Sequence, residues 1–146
     1  MYQNILVPID PAHGEVSDRI LSIAKRLVDD DGTVTALSVI EPMPTYLSGH
    51  IHDETLEGRI KANWEGAMTA LHEAMDRAGV TGKAVLDEGS PSPEILRVAE
   101  EIKADAIVLG SHRPGLRDYL LGSTASRIVR HAQCTVIVER STPVQS

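Results

Sequence analysis

Aromatic residues are scarce in this 146-residue chain, which has no Phe, one Trp (Trp64) and three Tyr (Tyr2, Tyr46, Tyr119). Its core must therefore be filled by Val, Ile, Leu, Ala and Met, a bias that suits parallel strands covered by helices. The shortage of rings also excludes a stacking platform for single-stranded nucleic acid. Cysteine is nearly absent: Cys134 stands alone, which excludes an intrachain disulfide and a CxxC-type zinc site and makes the cytoplasm the expected compartment. Positive charge is outnumbered, 14 Lys and Arg against 21 Asp and Glu, for a net charge of −7. A broad cationic face for nucleic acid or an anionic membrane is excluded, whereas a single local anion site is not. There is neither a basic leader with a cleavage site nor a run of 18 apolar residues, so neither export nor membrane insertion is expected.

What is present reads as one domain over residues 1–146. Ile5 to Ile9 is a short, nearly continuous apolar run that stops at Asp10-Pro11, the signature of a buried strand. Val16, Ile20, Ile23, Ala24, Leu27 and Val28 follow at helical spacing, with Gly32 as the expected helix end. Thr33 to Ile40 is a second strand. Residues 41 to about 55 form a surface loop. Leu56, Ile60, Trp64, Ala67, Met68, Leu71, Met75 and Ala78 then make an inward helical stripe that stops at Gly79. Ala84 to Glu88 is a third strand, followed by a serine- and proline-rich helix start and the apolar positions Ile95, Val98, Ala99 and Ile102. Ala106 to Leu109 is a fourth strand entering Gly110. Gly122-Ser123-Thr124 opens a helix with Ala125, Ile128, Val129 and Ala132 inward, and Thr135 to Val138 is a fifth strand.

This alternation is βαβαβαβαβ, which favours right-handed crossovers and a parallel sheet with helices on both faces. In such sheets a ligand crevice lies beyond the carboxyl ends of the strands. The loop from Gly110 to the Gly122-Ser123-Thr124 helix start has the makings of an anion cradle. Glycines allow close backbone approach, helix-start N–H groups carry partial positive charge, and His112 and Arg113 add cations. Taken alone, the same residues are also ordinary turn and cap chemistry. His50, His52 and Asp53 have metal-ligand types, yet read as a solvated loop. Asp29-Asp30-Asp31-Gly32 lacks EF-hand spacing and reads as a helix end. Cys134, Trp64, Met68 and Met75 read as packing residues.

Ile5 to Asp10, Gly110-Ser111-His112-Arg113, Leu120-Leu121-Gly122-Ser123, Val129 to Cys134 and Thr135 to Val138 together resemble the universal stress protein family, from the first strand to the last. The resemblance implies a three-layer, Rossmann-like sheet of the adenine nucleotide alpha hydrolase type, in strand order 3-2-1-4-5. Many members carry a G-x2-G-x9-G-[S/T] signature for ATP. Gly110 and the Gly122-Ser123 pair match its two ends. Arg113 stands where the second glycine is expected, Gly115 lies just beyond it, and 11 rather than 12 residues separate Gly110 from Gly122.

Carried over by position, Pro8, Ile9 and Asp10 would meet the adenosine, and the Val39 backbone would meet the adenine. Gly110, Ser111, His112, Arg113, Gly115, Gly122, Ser123 and Thr124 would surround ribose and phosphates. Asp10 has the chemistry to accept from ribose hydroxyls or hold Mg²⁺ through water. The family also implies a homodimer through the last strand, Thr135 to Glu139, and a regulator with a further protein partner. The chain has no P-loop and no kinase HRD or DFG set, so catalysis beyond slow turnover is not expected. The alternative is a slow nucleotide hydrolase or a self-phosphorylating protein with Ser111, Ser123 or Thr124 as acceptors. A receiver-like signalling domain is more remote: Asp10 and Asp87 partly fit it, but no Lys follows strand five. A nicotinamide dinucleotide oxidoreductase lacks its GxGxxG after strand one.

Overall fold

The computed structural model describes residues 1–42, 53–111 and 121–140, with the backbone alone at 12 and 53–57. Five strands form one parallel sheet in the order β3-β2-β1-β4-β5, as the resemblance implies. They are β1 (Tyr2–Pro8), β2 (Val28–Ile40), β3 (Gly82–Glu88), β4 (Ala106–Gly110) and β5 (Thr135–Glu139). Between them run α1 (Gly14–Leu27), α2 (Asp53–Ala78), α3 (Pro91–Glu101) and α4 (Ser123–His131), with a short 3-10 turn at Pro11–His13.

The period-two alternation of strands decides which helix covers which face. Ile5, Val7, Val34, Ala36, Ala106 and Val108 pack against Ile20, Leu21 and Ala24 of α1 and Leu71, Ala74 and Met75 of α2. Leu6, Leu37, Ile107 and Leu109 point the other way, against Ile95, Val98 and Ala99 of α3 and Ala125 and Ile128 of α4. β1 lies at the centre, with Ile5, Leu6 and Val7 fully buried. Each such side chain contributes about 1.5–3 kcal/mol of transfer free energy. At the amino edge, the Asp105 carboxylate accepts from the Gln3 and Asn4 backbone N–H groups at 2.8 and 3.0 Å, and the Asp105 N–H donates to the Asn4 carbonyl at 2.9 Å. This clamp fixes β4 beside β1.

Several expectations require correction. The first helix ends at Leu27, not at Gly32; Asp29, Asp30, Asp31 and Gly32 belong to β2. Three acids in a last helical turn would oppose the dipole, and in the strand Asp29 is instead held by the terminal amine and by Gln3 Nε2. These contacts hold the Asp29 carboxyl below the usual carboxylate range, the amine contributing most. The inward stripe of α2 holds only in its second half. Leu71, Ala74 and Met75 are buried, Trp64 is half-buried and Ile60 is exposed. Val129, expected inward on α4, is exposed, one position beyond the buried Ile128. Gly79 ends α2 with φ +68°, where an L side chain is strained and a Cβ would strike Lys25. His50 and His52 lie outside the described residues. No helix among the described residues is long and apolar enough to cross a membrane.

Candidate functional site

The parallel ladder between β1 and β2 ends at Pro8 opposite Leu37. One further bond, Ile9 N–H to the Leu37 carbonyl at 2.7 Å, closes the pair before the chain turns away at Asp10. In a parallel strand successive residues turn their backbone groups to opposite neighbours. Leu37 faces β1, and Ile40, whose carbonyl accepts from Gly89 N–H at 2.9 Å, faces β3. Val39 therefore turns its N–H and C=O toward the space β1 has left. This divergence opens a crevice at the carboxyl ends of β1, β2 and β4, where strand order reverses.

The crevice has two connected parts. The inner cavity, about 300 Å³, is walled mainly by aliphatic side chains, including Ile9, Val16, Ile20, Leu37, Val39, Ile95, Leu109 and Ile128. The outer cavity, about 650 Å³, is walled by polar groups that include Asp10, Glu41, Ser92, Ser111, Gly122, Ser123, Thr124 and Arg127. Asp10, His13, Glu41, Pro91, Gly110 and Thr124 border both. The His13 imidazole Nε2 lies 3.7 Å from the Asp10 carboxylate, and the Asp10 carbonyl accepts the Ser17 hydroxyl at 3.2 Å.

The first turn of α4 faces the outer cavity. Gly122 is its N-cap, in extended conformation (φ −64°, ψ 162°), with Gly122 N–H donating to the Ser111 carbonyl at 3.4 Å. The first intrahelical bond is Ser126 N–H to Gly122 C=O at 2.9 Å. Ser123, Thr124 and Ala125 therefore bring N–H groups to the helix start ahead of that bond, where no acidic residue stands. The arrangement is suited to a phosphate or carboxylate.

Of the residues proposed from sequence, the crevice brings together Pro8, Ile9, Asp10, Val39, Gly110, Ser111, Gly122, Ser123 and Thr124. His112, Arg113 and Gly115 lie outside the described residues. Reading the sequence missed His13, Ser38, Ser92, Ile95 and Arg127. Arg127 carried a signal, lying four residues after Ser123 and so one turn along the helix. Ser38 directly precedes the strand-exit residue Val39, whereas His13 and Ser92 follow only from the packing of the turns.

Asp87, weighed above as a phosphoacceptor, is committed elsewhere. Its carboxylate accepts the Glu88 N–H at 2.8 Å and pairs with Arg97, which also binds Glu94 at 2.8 Å and Glu101 at 2.9 Å. The neighbouring Glu94, then Glu88 N–H and Arg97, hold its pKa below the usual carboxylate value. Cys134 is half-buried at the opposite end of the sheet, its thiol pushed up by burial and by Asp105.

Comparison with known proteins agrees with this fold. The family model described as the universal stress protein family matches residues 1–140. Universal stress protein G of Escherichia coli O157:H7 is 33% identical over 145 residues, covering 96% of this chain and all of that protein. The structure of universal stress protein UspA from Lactobacillus plantarum is 27% identical and superposes with a TM-score of 0.66, covering 95% of this chain and 98% of the other. A universal stress protein in complex with cAMP gives 23% identity and a TM-score of 0.64 over 95% and 97% of the two chains. The Archaeoglobus fulgidus protein in complex with dAMP gives 22% and 0.59 over 94% and 97%. With the strand order, the diverging first strand and a family match running from β1 to β5, the chain belongs to the universal stress protein family.

Proposed function

We propose that the chain binds ATP or a related adenine nucleotide at the carboxyl edge of the sheet and acts as a cytoplasmic regulator. The observation that carries this reading is one continuous crevice with an aliphatic inner end and a helix-start outer end. A nucleotide has the same polarity along its length. Its base suits the inner cavity, which supplies aliphatic walls and the Val39 backbone in place of aromatic stacking. Its phosphates suit the first turn of α4, with Ser111, Ser123, Thr124 and Arg127 around them. Asp10 stands between the two, placed to accept from ribose hydroxyls or to hold Mg²⁺ through water beside the phosphates. By family resemblance, His112, Arg113 and Gly115 would join the phosphate side. The cAMP and dAMP complexes of relatives with this fold support an adenine occupant.

The same reading makes the protein a homodimer through Thr135–Glu139. β5 pairs with β4 along one edge and is the last strand of the sheet, with Val136, Ile137 and Val138 half-buried. Antiparallel pairing with a second copy would cover that edge and close a two-fold contact; a monomer mass in light scattering would exclude it. Titration calorimetry with ATP and magnesium tests the nucleotide reading. The expected result is saturable binding of one nucleotide per chain, and absence of binding to ATP, ADP and AMP alike would remove the proposal.

A further inference from the structure

Ser38 is 4% exposed and lies on the wall of the inner cavity, among the aliphatic side chains that dominate it. On β2 it shares a face with Val34 and Ala36, whose side chains pack into the core beneath α1 and α2. A hydroxyl in such a place is costly unless a partner meets it. None of the side-chain hydrogen bonds among the described residues is made by Ser38, and no fully enclosed polar side-chain atom among them lacks a partner. The unmet hydroxyl is therefore one that reaches the cavity. Ser17, the other serine of this wall, already donates to the Asp10 carbonyl.

We infer that Ser38 is a specificity-determining residue, whose hydroxyl meets the polar edge of the base and selects adenine by its 6-amino group. The inference rests on the nucleotide reading above. Val39, the next residue, turns its backbone N–H and C=O toward the same space, so the side of the cavity formed by β2 is where a base finds hydrogen-bonding groups. The remaining walls are largely aliphatic and give a base shape without orientation. In cavities of this kind a few placed polar groups decide which ligand is held, and a site that hydrogen-bonds its ligand rejects the analogue lacking that group.

The test measures ATP and purine riboside triphosphate, which lacks the 6-amino group, by calorimetry with the wild-type chain, Ser38→Ala and Ser38→Thr. Wild type is expected to prefer ATP by about 5- to 10-fold, the size of one buried hydrogen bond. Ser38→Ala should reduce that preference by weakening ATP more than the analogue, and Ser38→Thr, which keeps the hydroxyl, should restore it in part. Equal affinities of wild type for the two ligands would overturn the inference without any variant. So would an unchanged preference in Ser38→Ala with a normal melting curve, or an equal loss for both ligands. If wild type bound neither ligand, the nucleotide reading would fall and this inference with it. Binding of ATP without discrimination removes only the role of Ser38.

Discussion

α3 and α4 lie side by side on one face of the sheet, and both open at the outer cavity, yet their first turns are chemically opposite. α3 begins Ser90-Pro91-Ser92-Pro93-Glu94, and its first helical bond runs from Glu94 N–H to the Ser90 carbonyl at 3.2 Å. Two of the three positions before that bond are prolines without an N–H, leaving Ser92 as the sole backbone donor, and Glu94 adds a carboxylate to the same turn. Gly89, just ahead of it, sits at φ +147° with the Glu94 side chain where its Cβ would be. α4 has a residue with an N–H at each of the three equivalent positions, and no acid. Only one of two neighbouring helix starts is thus equipped for an anion, and that choice gives the crevice its direction. The prolines also have a structural use, since their fixed φ is preorganised for a first turn.

If the difference lies only in these first turns, the helices should be anchored equally well. Ile95 of α3 and Ile128 of α4 are 3% and 0% exposed in the same core. Ile95→Ala and Ile128→Ala are each expected to cost about 2–5 kcal/mol of stability in urea unfolding. A cost under about 1 kcal/mol at one of them would show that the two helices differ in more than their starts.

Exchanging the chemistry of the starts is the next test. Ser123→Pro with Ala125→Pro gives α4 the proline pattern of α3 and removes two N–H groups; ATP affinity should fall at least about 100-fold, as for two hydrogen bonds to a charged group. Circular dichroism would establish that the sheet and helices persist. The reverse exchange, Pro91→Ala with Pro93→Ala, should change ATP affinity by less than about 3-fold, because Glu94 still faces that turn. Equal effects in calorimetry would erase the distinction between the helices.

Much of this was legible in the sequence, for reasons that differ by element. The buried strands announced themselves because β1 and β4 have helices on both sides and so read as unbroken apolar runs, Ile5 to Val7 and Ala106 to Leu109. Strand order came with the family resemblance, since periodicity alone gives alternation but not neighbours. The start of β2 was misread because Val28 and Leu27 continue the helical stripe, while the contacts that hold Asp29 in the strand come from residues about 26 to 28 positions away. The exposure of Ile60 was hidden because the apolar spacing of α2 is the same in its first half as around the buried Leu71, Ala74 and Met75. At the site, Gly110 and Gly122 to Thr124 carried local signals of turn and cap. Ser38 and Ser92 did not, because a serine becomes a ligand candidate only when folding buries it against a cavity.

The central claim is that an adenine nucleotide lies across the crevice with its base toward Val39 and its phosphates against the first turn of α4. Backbone amide NMR during titration with ATP and magnesium tests it most directly. The largest saturable shifts are expected at Ser123, Thr124 and Ala125, with a second group at Val39 and Asp10 and little change at Ser92. Shifts centred on Ser92 and Glu94, or none that saturate, would contradict it.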